Sequence, residues 1–96
     1  LAQGIGQVLC EEVVYDQDGQ LLTGNFIDYV MPNAKMMPEF VTDFIETPSP
    51  YNPLGAKGAG ESDCIAGPPA IVNAVLDALA PFGIKSIDMP LKPEKI

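Results

Sequence analysis

The chain has 96 residues with five basic and thirteen acidic side chains, a formal charge of −8; this leaves room for one domain with one modest core and argues against nucleic acid or an anionic membrane, which need a surplus of Lys and Arg. Histidine is absent, and Cys10 and Cys64 form no C-x-x-C pair, which removes Ser-His and Cys-His catalysis and most zinc or iron–sulfur sites. No apolar run approaches the roughly 20 residues of a membrane span and no basic stretch precedes a hydrophobic one, so a cytoplasmic protein is expected.

Residues 1–14 carry apolar side chains at Ile5, Val8, Leu9, Val13 and Val14, a helical stripe that runs into Glu11-Glu12. The chain starts at Leu1, inside that stripe, and reads as a piece of something longer. Residues 15–20 form a turn in which Asp18-Gly19 suits a left-handed backbone. Residues 21–23 are expected to pair back. Residues 26–30 have strand composition, ended by Met31-Pro32-Asn33 because proline cannot donate to a ladder.

After Pro38, residues 39–46 offer two strand faces, Phe40, Thr42 and Phe44 on one and Val41, Asp43 and Ile45 on the other. Residues 47–53 carry three prolines and read as a stiff, extended connector. Ser62 and Asp63 are placed to cap a short first turn, and Pro68-Pro69 to start a second helix that runs to about residue 80. Pro81 and Gly83 stop that helix. Residues 84–88 read as a last strand and residues 89–96 as a tail anchored at Leu91 and Ile96. The expected fold is α+β, with two or three helices packed on a small, mainly antiparallel sheet.

The connector delivers the chain to Gly55-Ala56-Lys57-Gly58-Ala59-Gly60-Glu61. Three glycines in six residues allow φ > 0 and let backbone N–H groups converge on an anionic ligand, such as the phosphates of a cofactor. The spacing fits neither the phosphate loop that ends in Lys-Ser/Thr, because Lys57 precedes the last two glycines, nor the G-x-G-x-x-G dinucleotide fingerprint. Composition leaves two readings open, a tight turn before a helix and a ligand-binding loop. Glu61 likewise reads either as a helix-start carboxylate favoured by the helix dipole or as a general base beside the ligand.

Other candidates have simpler explanations. Gly4 and Gly6 in an apolar stripe point to close helix packing; Met31, Met36 and Met37 read as core or interface filler. Cys10 and Cys64 read as two small buried side chains, a disulfide being out of place in a reducing compartment. No residue set suggests a metal site.

Taken in order, Gln3-Gly4-Ile5-Gly6, Glu11-Glu12, Asp28-Tyr29, Met31-Pro32, the stretch Asn52 to Glu61, Pro68-Pro69-Ala70-Ile71-Val72-Asn73-Ala74-Val75 and Met89-Pro90-Leu91 resemble the C-terminal end of the large, molybdenum-binding subunit of the molybdenum hydroxylases. That family includes xanthine dehydrogenase, aldehyde oxidoreductase and the aerobic carbon monoxide dehydrogenases, and the resemblance leans toward the carbon monoxide dehydrogenase-like branch. It implies that Glu61 is the active-site base, taking the proton from a molybdenum-bound hydroxyl, and that Lys57, Gly58, Ala59 and Gly60 lie against molybdopterin cytosine dinucleotide. It further implies an upstream portion of the large subunit, partner subunits carrying iron–sulfur clusters and FAD, and a small-molecule substrate. Neither Cys10 nor Cys64 falls at the position of the copper-binding cysteine of carbon monoxide dehydrogenases. The chain by itself is too short to enclose such a cofactor and is expected to be inactive alone. The rival readings are a non-catalytic remnant or scaffold module, and a small phosphate-binding protein.

Overall fold

The computed structural model describes all of residues 1–96, and its regular structure is helical: α1 (Ala2–Leu9), α2 (Asp63–Leu79) and three short 3₁₀ turns at Ala34–Met36, Ala80–Phe82 and Pro93–Lys95. No sheet forms. The only β pairing is an isolated antiparallel bridge between Tyr15 and Leu21, which closes the expected turn around Gly19, whose φ is +80°. The α+β expectation is therefore overturned, and the segments of strand composition fail for identifiable reasons. At 26–30, the Asn25 side-chain oxygen accepts the N–H groups of Ile27 and Asp28 at 2.8 and 3.2 Å, folding the chain into a local turn that competes with a ladder. At 39–46 and 84–88 the backbone forms no backbone–backbone hydrogen bond at all; strand propensity without a pairing edge leaves an extended chain.

α1 is shorter than the apolar stripe suggested. The N–H groups of Cys10 and Glu11 both bond to the Gly6 carbonyl at 2.9 Å, which closes the last turn. Glu11 then accepts the Tyr29 hydroxyl at 2.6 Å. The helix is enclosed from two sides: a Cβ at Gly4 would lie 3.1 Å from the Asp63 carbonyl and 3.5 Å from Pro68, while one at Gly6 would lie 2.7 Å from Pro32. Both glycines thus serve close packing, as expected.

α2 is one continuous helix, where a short turn and a separate helix beginning at Pro68-Pro69 were expected. Its first turn is tightened by i+3 bonds from Cys64 N–H to Glu61 O and from Ile65 N–H to Ser62 O, at 3.1 and 3.2 Å. The prolines remove the donors that the Cys64 and Ile65 carbonyls would receive. Pro68 is buried against α1, and packing offsets part of that cost. Gly83, with φ +78°, ends the helical run by donating to the Ala80 carbonyl, as the sequence indicated. Together with its 3₁₀ extension this run covers Asp63–Phe82 and is long and apolar enough to cross a membrane, which corrects the expectation that no segment approaches that length. Little of its surface is covered within the chain.

The core is small. Only Gly4, Gly6, Val8, Cys10, Pro68, Pro90 and Leu91 are buried. Leu91 is anchored as expected, its N–H donating to the Val8 carbonyl at 2.6 Å, whereas Ile96 stays exposed. Lys92 and Lys95 flank Glu12 and fasten the tail to the end of α1. The radius of gyration is 17.3 Å, against about 12.5 Å for a compact domain of this length. The accessible surface of 7806 Å² exceeds the roughly 5,300 Å² of a compact monomer of this mass.

Candidate functional site

The loop before α2 is organised by Asn52. Its side-chain amide donates to the Ala56 carbonyl at 2.9 Å and its side-chain oxygen accepts the Ala56 N–H at 2.8 Å. The Ser49 N–H donates to the Gly55 carbonyl at 3.0 Å and the Gly55 N–H to the Asn52 carbonyl at 3.1 Å. The connector therefore folds back on the loop, where a plain extended run was expected. Gly55 is required here: its φ is +65°, and a Cβ would stand 2.8 Å from that of Pro48.

Gly58 and Gly60 differ from Gly55. Neither has a positive φ, which corrects the expectation of left-handed backbone at all three, and a Cβ on either would meet nothing within 4 Å. Nothing inside the chain requires the absence of a side chain at these positions. From Lys57 to Glu61 no backbone N–H donates to any acceptor in the chain, so five consecutive donors are left free on an exposed strip cleared of side-chain bulk at Gly58 and Gly60. Such a strip suits close approach of an anionic, phosphate-bearing group.

Glu61 closes the strip. Its carbonyl receives the Cys64 N–H, its side chain is exposed, and its carboxylate enters no hydrogen bond or ion pair within the chain. Gly58, Ala59, Gly60, Glu61, Ser62 and Ile65 line an open depression of about 450 Å³. Ala59, Gly60 and Ser62 also wall an adjoining depression that includes Phe44 and Asp63. Lys57 is placed apart: its ammonium donates to the Thr47 hydroxyl at 2.6 Å, in a hollow shared with Glu46 and Gly55. Of the five sequence candidates, Gly58, Ala59, Gly60 and Glu61 come together, and Lys57 contributes only backbone to that strip.

Asp63 fixes where the strip stands. In the free chain the Leu1 ammonium and the Gly4 N–H both bond to its Oδ2, each at 3.1 Å, and there these two donors, the ammonium first, hold its carboxyl below the usual carboxylate range. Cys64 beside it and Cys10 just after α1 are free thiols, both pushed up, first by burial and then by the neighbouring Asp63 and Glu11 respectively. No three His, Cys, Asp or Glu side chains converge to hold a metal ion. Sequence reasoning gave no role to Asn52 or Thr47; the signal for Asn52 was its position three residues before Gly55 in Asn-Pro-x-Gly, a turn-forming pattern.

Residues 1–38 match the family described as molybdopterin cofactor-binding domain. The nicotine 6-hydroxylase large subunit of Paenarthrobacter nicotinovorans is 46% identical over 96 residues, spanning 100% of this chain and 12% of that subunit. The carbon monoxide dehydrogenase large chain of Afipia carboxidovorans is 40% identical over 90 residues, 94% of this chain and 11% of that one. The chain belongs to the molybdenum hydroxylase family. Crystalline quinoline 2-oxidoreductase from Pseudomonas putida 86, at 47% identity, superposes with a TM-score of 0.91 over 98% of this chain and 12% of its own. The open path of this molybdenum hydroxylase segment is therefore the path taken by the matching segment within a much larger protein. The chain spans about an eighth of the length of these relatives, 11–12%, and the strip at 57–61 lies inside the aligned region of the first of them, though outside residues 1–38.

Proposed function

We propose that this chain forms the C-terminal portion of a molybdopterin-dependent hydroxylase large subunit, in which Glu61 is the active-site base. In this reading Lys57, Gly58, Ala59 and Gly60 present backbone N–H groups to molybdopterin cytosine dinucleotide, and the upstream portion of the large subunit houses most of that cofactor. The observation that carries the reading is the strip itself: five N–H donors without a partner in the chain, no obstruction where Gly58 and Gly60 would bear side chains, and a free carboxylate at its end. When bound, the cofactor supplies two-electron redox chemistry.

The chain's own residues do the rest. Gly58 and Gly60 let the backbone approach the anionic group closely, and Asn52 and Gly55 hold the start of the strip in register. Glu61, fixed beside the first turn of α2 by its carbonyl, offers a side-chain oxygen to receive a proton. Electrons leave through iron–sulfur and flavin subunits, a part of the proposal supported by relatives whose names mark them as one subunit or chain of an assembly. The substrate is a small molecule with an electron-poor carbon.

Glu61→Gln keeps the shape and removes the basicity. In the assembled enzyme it should lower turnover by about 10²–10⁴-fold while molybdenum content, read by metal analysis, is unchanged. Turnover retained by that variant would refute the role.

A further inference from the structure

From residue 37 to residue 48 the backbone neither donates nor accepts a backbone–backbone hydrogen bond; the one bond within 39–46 is local, from the Phe44 N–H to the Asp43 carboxylate at 2.8 Å, and Thr47 beyond it accepts from Lys57 through its side chain. The segment runs without helix or turn, and both faces leave apolar side chains open: Val41 and Ile45, 100% and 93% exposed, stand on either side of Asp43, and Phe44, 87% exposed, shares the other face with Thr42 and with Phe40, which is 39% exposed. A solvated extended chain has no reason to concentrate β-branched and aromatic residues. An unpaired strand with open apolar side chains on both faces is instead an edge awaiting a ladder.

We infer that residues 39–46 add as a β-strand to a sheet edge of the remaining, upstream part of the large subunit, so that the Glu61 strip is held against the rest of the enzyme by main-chain pairing. This rests on the membership of a longer subunit proposed above. The occupant is argued from three observations. The accessible surface exceeds that of a compact monomer by roughly 2,500 Å², an area suited to an obligate interface. The relatives supply about eight times more polypeptide to cover it. The charge of the segment disfavours a second copy: Glu39, Asp43 and Glu46 are acidic and no Lys or Arg occurs between Lys35 and Lys57, so two such strands side by side would repel. The receiving edge is expected to carry Lys or Arg opposite them. Because Phe44 and the Ala59–Gly60 backbone wall the same depression, the docked sheet would also bury the flank of the Glu61 strip.

Amide hydrogen exchange decides the matter, measured on the chain alone and on the same chain within the assembled enzyme. The expected result is near-intrinsic exchange at 39–46 in the free chain and at least about hundredfold slowing on assembly, in alternate amides for a strand added at one edge and in all of them for a strand inserted between two. Of Val41→Pro and Thr42→Pro at least one removes a ladder donor whichever alternate set of amides pairs, so at least one of the two should weaken assembly at least about tenfold while leaving the helical circular dichroism of the free chain unchanged. Fast exchange at 39–46 in the assembled enzyme would overturn the inference, as would protection that appears in the free chain and grows with its concentration, the mark of a second copy. The Glu61 reading fails separately, through a Glu61→Gln enzyme that turns over normally whatever the exchange pattern.

Discussion

The Gly4 N–H donates to Asp63 Oδ2 at 3.1 Å, across 59 residues of sequence. That bond joins the start of α1 to the first turn of α2 and sits two residues beyond Glu61, so the position of the candidate base is inherited from the packing of the two helices. Gly4 permits it, since any larger residue would press on the Asp63 carbonyl and Pro68.

Removing the Asp63 carboxylate should therefore loosen both helices at once. Its folded-state pKa is lowered, so its contribution is complete above about pH 4 and is lost as pH falls through the depressed value. Helical circular dichroism of the wild-type chain should decline on acidification through this range, whereas that of Asp63→Ala should start lower and respond less. A variant whose helicity and acid response match the wild type would show that the tie does not hold the helices.

The glycines of the loop should separate into two classes. Gly55→Ala meets both a positive φ and the Pro48 side chain and should destabilise the free chain by more than about 1 kcal/mol. Gly58→Ala and Gly60→Ala meet neither and should change its stability by no more than about 1 kcal/mol, in the stabilising direction through the unfolded state. In the assembled enzyme the order reverses for cofactor retention, with molybdenum content falling for Gly58→Ala and Gly60→Ala. Denaturant melts of the free chain and metal analysis of the enzyme test the two halves independently.

The sequence exposed local chemistry well and tertiary pairing poorly. Gly19 and Gly83 were readable because a left-handed turn is a property of a few neighbouring residues, and Gly4 and Gly6 because an apolar stripe interrupted by glycine implies a close neighbour. The strands expected at 26–30, 39–46 and 84–88 were misread for one reason: β-propensity describes a surface that packs and pairs, and here Asn25 captures the first segment locally while the other two find no edge within the chain. Pro68-Pro69 misled differently. Proline is most at home at a helix start, yet α2 runs through both residues with Pro68 buried. The members of the Glu61 strip were legible as a motif, but the difference between Gly55 and the other two glycines required coordinates, because it depends on what a Cβ would touch.

The tail clasp should titrate at both ends of the pH scale. The Lys92 ammonium, hydrogen-bonded to Glu12 and joined by Lys95, holds the Glu12 carboxyl below its usual range, so its contribution is present above about pH 4.3 and disappears as pH falls through the lowered value. Lys92 is itself raised by Glu12; its contribution is present below about pH 10.4 and is lost as pH rises through the raised value. The clasp should accordingly hold across the neutral range and release at either extreme. Carbon NMR of the Glu12 carboxyl should give a midpoint below the ordinary one in the wild type and one closer to it in Lys92→Met, where Lys95 alone remains. Equal midpoints would remove the clasp.

Truncations of apolar side chains should rank differently in the free chain and in the enzyme. Val8 is fully buried between the helices and the Leu91 segment, so Val8→Ala should cost the free chain about 2 kcal/mol through lost burial and a small cavity. Leu54 and Ile45 are 90% and 93% exposed, and their replacement by Ala should leave the free chain within about 0.5 kcal/mol of wild type. If the open surface is covered on assembly, those two side chains become interface residues, and each truncation should then weaken association of the chain with the rest of the subunit by about 1–3 kcal/mol. Urea melts of the free chain and binding measurements on the two-part subunit give the two rankings. Identical rankings would mean that the bare apolar surface remains bare in the enzyme, and that the excess area has some other origin than docking.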